Sequence, residues 1–535
     1  MRLFPMISGQ VRVLLAEAGA ALVVSALIAG CGNNYRPVVT PITPSGPAAQ
    51  PTSNVVVVSS TSSTSPGVAT IIDYSGDTIM AEAPIGIGPY VFTIDEIGSF
   101  GYTINSDGTL TNFPITTTLQ AKNITQSTLP FTALPVNMMA PSAGLWVADL
   151  NGNVADVFAG SPQTFKLSIP VGTAAAPATM PVSIYGPPTL TGQREYVLSQ
   201  NVATAMACNT SPATVTANGV ATGIEIASNV ADTPIVLDPS ASTGTLNARC
   251  PVYGVMSPDL RRFFVLNRGS DTVSVINVQN DTLDNQCPAP TGCINQNGQT
   301  YFTHPILPLS TAAVTATGVT PPNGTTGMTG IAGPVYAEYN TATQQLVVAN
   351  YDGGTVSVID VSLDEYGNDS PTFGTTYTIP VGNTATPDPA SVTVLADGTK
   401  AYTANQNDAA PGQDNGTVTV VNLSTHTVEK TITVVGHPRT VVSTQNSEFS
   451  KVYVASPDSP YLTLLESTPT VADQIDTTIL VEGNIVDVRV STQNGSGGNN
   501  NFTSRAPGYG QPCNLPGVPA PTGSQTPLQA CQAIP

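Results

Sequence analysis

The chain has 535 residues, enough for two or three ordinary domains or for one large closed β architecture. Hydrophobic residues make up 41% of it, so it can bury a core, yet only 10% is charged, against about a quarter in soluble domains generally. The net charge of −19, from 35 acidic and 16 basic residues, argues against nucleic acid or anionic lipid as partners, since both demand clustered Lys and Arg.

Thr, Ser, Asn and Gln must therefore carry the polar surface. So few ionisable groups limit charge changes in acid, which makes an acidic external medium the expected setting.

At the N-terminus, Arg2 and Arg12 precede the apolar run "VLLAEAGAALVVSALIAG" (13–30) and then Cys31. The run is short for a membrane span, and Glu17 interrupts it. Small residues directly before a cysteine, here "LIAGC", resemble the lipobox of bacterial lipoproteins. That resemblance implies a signal peptide over 1–30 and acylation of the Cys31 thiol. With Gly32 next, it implies sorting to the outer membrane, facing the periplasm or the exterior. Residues 31–53 are rich in Pro, Ser and Thr without an apolar period and read as an extended tether. Residues 493–535 have the same irregular character and read as a tail.

Between these ends, over 54–492, short runs of Val, Ile, Thr, Tyr and Phe alternate with Gly, Asn, Asp, Ser and Pro. No helical period appears. The stretch "NRGSDTVSVINV" (267–278) returns as "NYDGGTVSVIDV" (350–361) and more loosely as "DNGTVTVVNL" (414–423). Each copy follows a strand ending in a small polar residue: "FFVLN" to Asn267, "LVVAN" to Asn350, "AYTAN" to Asn405. Looser relatives are "VVVVSS" (55–60), "GYTIN" (101–105), "LWVADL" (145–150), "EYVLSQ" (195–200) and "VYVAS" (452–456), making eight.

A second mark has the same rhythm. Pro89, Pro135, Pro181, Pro251, Pro334, Pro389 and Pro438 each open an apolar run one strand upstream of such a unit. Proline is tolerated at a strand's first residue because its missing N–H falls outside the ladder. The spacing suits a four-stranded propeller blade of about 40–50 residues, with "CPAPTGCINQNG" and "TPPNGTTGMTG" as loop insertions. The chain enters at "VVVVSS" without an inner strand and leaves through "IVDVRVSTQNG" (485–495), an inner strand without a successor. The two halves should complete one blade and remove two exposed edges. The expected fold is thus all-β: a single propeller of four-stranded blades, seven or eight with eight counted, closed by a C-terminal strand in the N-terminal blade.

The strand-and-turn pattern resembles the YVTN β-propeller repeat family, most clearly at 263–278, 346–361 and 401–423. That family commonly has seven blades, and its name says little about activity. Related propellers include lactonase-like and quinoprotein-dehydrogenase-like enzymes, which would need convergent carboxylates, His or Arg at the channel mouth.

Besides Cys31 the chain has Cys208, Cys250, Cys287, Cys293, Cys513 and Cys531, an even set suited to an oxidising compartment. The sequence leaves their connectivity open; pairing neighbours would give Cys208–Cys250, Cys287–Cys293 and Cys513–Cys531.

Only three histidines occur, His304, His426 and His437, in separate segments and without a catalytic motif. The stretch 149–156 offers Asp149, Asn151, Asn153 and Asp156 as weak ligands for a structural divalent cation. Its spacing lacks the calcium-loop pattern, and a hairpin turn explains it better. Asn267, Asn350 and Asn405 read as turn formers and Trp146 as core, while Asp95, Glu96 and Glu338 lie near inner strands and could face the channel.

No cofactor is expected. The function expected is that of a monomeric binding or scaffold module, held in the bacterial cell envelope by its lipid anchor alone and presenting loops to an envelope protein or glycan. The alternative is a propeller enzyme with its site at the channel mouth.

Overall fold

A computed structural model describes residues 54–491, apart from 63, 74, 96, 131, 142–143, 187–193, 203–207, 209–214, 216, 240–247, 296, 310–331, 410–414, 445–450 and 469–470. Cys31, the tether, Glu96, Cys513 and Cys531 lie outside the described residues.

Eight antiparallel sheets form eight blades. The innermost strands of blades 2–8 are Pro89–Ile94, Pro135–Met139, Pro181–Tyr185, Pro251–Met256, Pro334–Asn340, Pro389–Val394 and Thr440–Ser443. Blade 1 takes its innermost strand, Asn484–Ser491, from the far end of the chain, paired with Asn54–Ser60. Each innermost strand packs on the next. Thr440–Ser443 meets Asn484–Ser491, and that strand in turn meets Pro89–Ile94, so the ring is closed.

The two repeated sequence marks prove to be register partners. Pro89 stands opposite Asn105, Pro251 opposite Asn267, Pro334 opposite Asn350 and Pro389 opposite Asn405. After each of these prolines the innermost strand carries one extra residue before pairing resumes. Such a bulge sharpens the local twist of the strand.

The asparagine that ends the second strand fixes the following turn. The Asn267 side-chain amide donates to Thr272 Oγ1 (3.2 Å) and Ser274 Oγ (2.8 Å). Asn350 does the same to Thr355 (3.0 Å) and Ser357 (2.8 Å), and Asn405 to Thr417 (3.0 Å) and Thr419 (2.8 Å). The repeated phrase therefore encodes one buried network, with Asn as donor and the alternate hydroxyls of the third strand as acceptors. The turn role expected of these residues is carried by their side chains.

The core lies in the seams between blades. Ile71 and Ala69 of blade 1 pack with Phe92 and Phe113 of blade 2, and Tyr453 and Leu464 of blade 8 with Val57 and Val488 of blade 1. Trp146 is buried in the seam between blades 3 and 4. Full burial of one such large side chain contributes about 1.5–3 kcal/mol, so each seam is held mainly by apolar area.

The fourth strand is split in two blades. In blade 4 it is Val230–Ala231 and Ile235–Val236. In blade 5 it is Thr282–Leu283 and Ile306–Pro308, and the chain between them forms an insertion on the outer edge. Among the described residues, no helix is long and apolar enough to cross a membrane.

Candidate functional site

Apart from tyrosines, the ionisable side chains on the innermost strands are Glu338, Asp487 and Arg489, and all three are buried. Arg489 pairs with Asp487 at 3.0 Å, and Thr440 Oγ1 donates to the same carboxylate at 2.9 Å. Tyr185, Tyr253 and Tyr336, from blades 4, 5 and 6, follow one another in contact, the first pair edge-to-face with centroids 4.9 Å apart and the second tilted with centroids 4.5 Å apart. Burial pushes the Tyr185 and Tyr253 phenols well above their ordinary range, and Arg489 is near enough to oppose that shift in both. In a ring of eight, blade 1 stands across from blade 5, so the buried Arg489 and these rings share the axial region.

Acidic residues in the turns are mostly engaged by neighbouring backbone. Asp149 Oδ1 accepts from Leu134 N (2.8 Å), Asp271 from Ala332 N (3.0 Å) and Gly333 N (2.7 Å), and Asp458 from His437 N (2.8 Å). Each ties the turn after a second strand to the connection entering a blade. Asp95, next to the innermost strand of blade 2, accepts from Ser99 N (2.6 Å) and Phe100 N (2.9 Å) in the turn leading to the second strand. The short turn there uses Asp95 as its local acceptor.

The weak cation candidates behave as turn and sheet residues. Asn153 adopts a φ of 52° and accepts from Met180 N at 2.9 Å, while Asn151 donates to Thr132 O at 2.9 Å. Asp156 accepts from Ser168 Oγ at 2.5 Å, and burial raises its pKa to about 6. Among the described residues no group of His, Cys, Asp and Glu is arranged to hold a metal ion.

A basic residue and an aromatic two positions apart at the start of the second strand form a recurring contact between blades. Arg194 and Tyr196 of blade 4 reach Asp281 of blade 5 at 3.6 and 3.0 Å. Lys400 and Tyr402 of blade 7 reach Asp473 of blade 8, the lysine at 2.7 Å. Lys451 and Tyr453 of blade 8 reach Asp77 of blade 1 at 2.6 and 3.0 Å. In blade 5 Phe264 replaces the tyrosine, and Arg262 lies between two buried carboxylates, Asp284 at 2.9 Å and Asp369 of blade 6 at 3.1 Å.

This modified contact forms the floor of a cavity of about 240 Å³. Its walls are Arg261 and Arg262, the turn holding Asn277, Gln279 and Asn280, the blade 5 insertion, and the 366–368 segment of blade 6. A Cys287–Cys293 disulfide closes the base of the insertion, and Cys287 N donates to Thr303 Oγ1 at 3.0 Å. His304 Nδ1 hydrogen-bonds Asp369 at 2.9 Å while its ring stacks on Phe373, and Asn297 donates to the Tyr366 hydroxyl. The insertion is thereby pinned to blade 6 at two points. Burial foremost raises the Asp284 pKa to about 6, although Arg262 opposes it.

The other histidines stand elsewhere: His437 pairs with Asp458 at 2.7 Å, and His426 stacks on Tyr377 at 3.7 Å. The second described disulfide, Cys208–Cys250, ties the segment between the second and third strands of blade 4 to the connection that enters blade 5 at Pro251. Sequence reading gave the insertion but missed the cavity, whose walls come from segments some 100 residues apart.

No family model matches the chain, and no curated protein matches it in sequence. Solved structures do resemble it in fold. The dihydro-heme d1 dehydrogenase NirN, in complex with DHE, aligns with a TM-score of 0.52 at 14% identity, over 85% of this chain and 79% of its own. AztD from Citrobacter koseri aligns at 0.48 and 11% identity, over 82% of this chain and 97% of its own. A streptogramin B lyase aligns at 0.38 and 11%, over 69% and 90%. At such identities the likeness is one of fold: this chain is an eight-bladed β-propeller.

Proposed function

We propose that this chain is a recognition module, a YVTN-type propeller held at the cell envelope through Cys31. It engages a protein or glycan partner at the rim where the blade 5 insertion meets blade 6. One contrast carries this reading: the ionisable groups on the innermost strands are buried, Asp487 and Arg489 against one another, whereas the rim cavity is open and lined by polar side chains. The disulfide and the contacts to blade 6 hold that rim in one shape, which lowers the ordering cost of binding. The anchor and tether would present it away from the membrane surface.

The test compares two variants of the full ring against envelope glycans and envelope proteins, assayed separately. One replaces 284–305 by a two-residue turn; the other is a Asp487→Leu/Arg489→Met double variant in the channel. Capture lost with the first and kept with the second supports rim recognition. The reverse result, or turnover of a substrate that depends on Arg489, overturns it.

A further inference from the structure

We propose that the cavity between the blade 5 insertion and blade 6 binds an uncharged sugar ring; this rests on the recognition reading above and gives its ligand a chemical class. Four lining side chains carry the inference. Gln279, Asn280 and Tyr301 make no side-chain hydrogen bond among the described residues, and Arg261 has only a 3.9 Å ion pair with Asp259. An amide offers two donors and an acceptor, which matches neighbouring hydroxyls that each donate and accept. The guanidinium adds a planar set of donors, and the Tyr301 and Tyr366 rings supply flat apolar faces at the edge of the cavity.

Other ligand classes fit less well. No aliphatic side chain lines the cavity, so an apolar ligand would desolvate polar groups without replacing their partners. A cation would need a free carboxylate, but Asp284 and Asp369 are both occupied by Arg262, and Asp369 by His304 as well. An anion would approach a chain of net charge −19 and meet those same two carboxylates behind Arg262. The volume is below the roughly 300–1,000 Å³ of drug-sized sites, so it suits one ring, as the end or branch of a longer chain.

The experiment titrates the full-length protein with dextran, mannan and laminarin as neutral probes and with alginate as an acidic one, by calorimetry at low and high salt. A neutral polymer should bind with little salt dependence, and Asn280→Ala and Tyr301→Ala should each weaken binding by about tenfold while the melting temperature stays put. Binding of alginate alone, abolished by salt, would overturn the proposal, as would neutral binding indifferent to both substitutions. If no polysaccharide binds but an envelope protein is still captured in an insertion-dependent way, the sugar assignment falls and rim recognition stands. If capture also ignores the insertion, both fall.

Discussion

Tyr453 donates its phenolic hydrogen bond to Asp77 at 3.0 Å, across 376 residues of sequence. Lys451 Nζ meets the other carboxylate oxygen at 2.6 Å. Asp77 sits in a hairpin turn with φ of 51°, a conformation that Asp and Asn tolerate better than most residues. Asp77→Asn should therefore keep the turn and lose the charge, costing about 1.5–3 kcal/mol, while Tyr453→Phe should cost about 0.5–1.5 kcal/mol. Urea unfolding of both variants checks this. Equal costs near zero would mean that apolar packing alone holds the seam between blades 8 and 1.

The Asp487–Arg489 pair on the closing strand is nearly inaccessible to water, with side-chain exposures of 4% and 1%. Asp487→Asn takes the ion pair away from a buried guanidinium and should destabilise by about 3–5 kcal/mol. Asp487→Leu with Arg489→Met should recover most of that loss, because apolar side chains of similar volume can replace a buried ion pair. A double variant as unstable as the single one would count against this account.

Acidity should stabilise the ring. Glu195 is completely buried, neither of its carboxylate oxygens has a hydrogen-bond partner among the described residues, and burial alone lifts its pKa well above the usual range. Asp156 and Asp284 are each raised to about 6, burial being the main cause. A carboxyl group with a raised folded pKa gives its full stability below its unfolded value near 4. That stability is lost as pH rises through the folded value. Melting temperature should thus fall between about pH 4 and 7, the window set by those shifts. Glu195→Gln should raise it on the alkaline side and leave it nearly unchanged in acid. A melting temperature that rises with pH over this range would refute the assignment.

The two described disulfides should differ in weight. Cys208–Cys250 spans 42 residues and Cys287–Cys293 only 6. By loop entropy, replacing the first pair with serines costs about 4 kcal/mol and the second about 2. The smaller loss should nonetheless be the one that weakens ligand binding, because Cys287 lines the rim cavity. Calorimetric melting and a binding titration on both variants would separate the two effects.

The fold was legible in this sequence for a reason the structure makes concrete. Pro251 and Asn267, read as separate marks, are opposed residues of one strand pair, so they had to recur together. The closing strand was legible because 485–491 had an inner-strand pattern and no successor. The interblade contacts were not, since nothing local links Tyr196 to Asp281 or Arg262 to Asp369. The alternation in "VDVRV" (486–490) did hold a signal, two opposite charges on one face of an otherwise apolar strand, that could have announced the buried axial pair. The hydrogen bonds of Asp95 to Ser99 N and Phe100 N were not legible either, since proximity to an inner strand in sequence does not fix which way a turn residue faces.

The swap of strands in blade 1 has a kinetic side. A nascent chain can finish blades 2 to 8 in order, but Asn54–Ser60 must wait for Asn484–Ser491 to be synthesised. Throughout that wait its valine-rich flank is a bare template for other chains, which makes this strand the place where a folding helper is most needed.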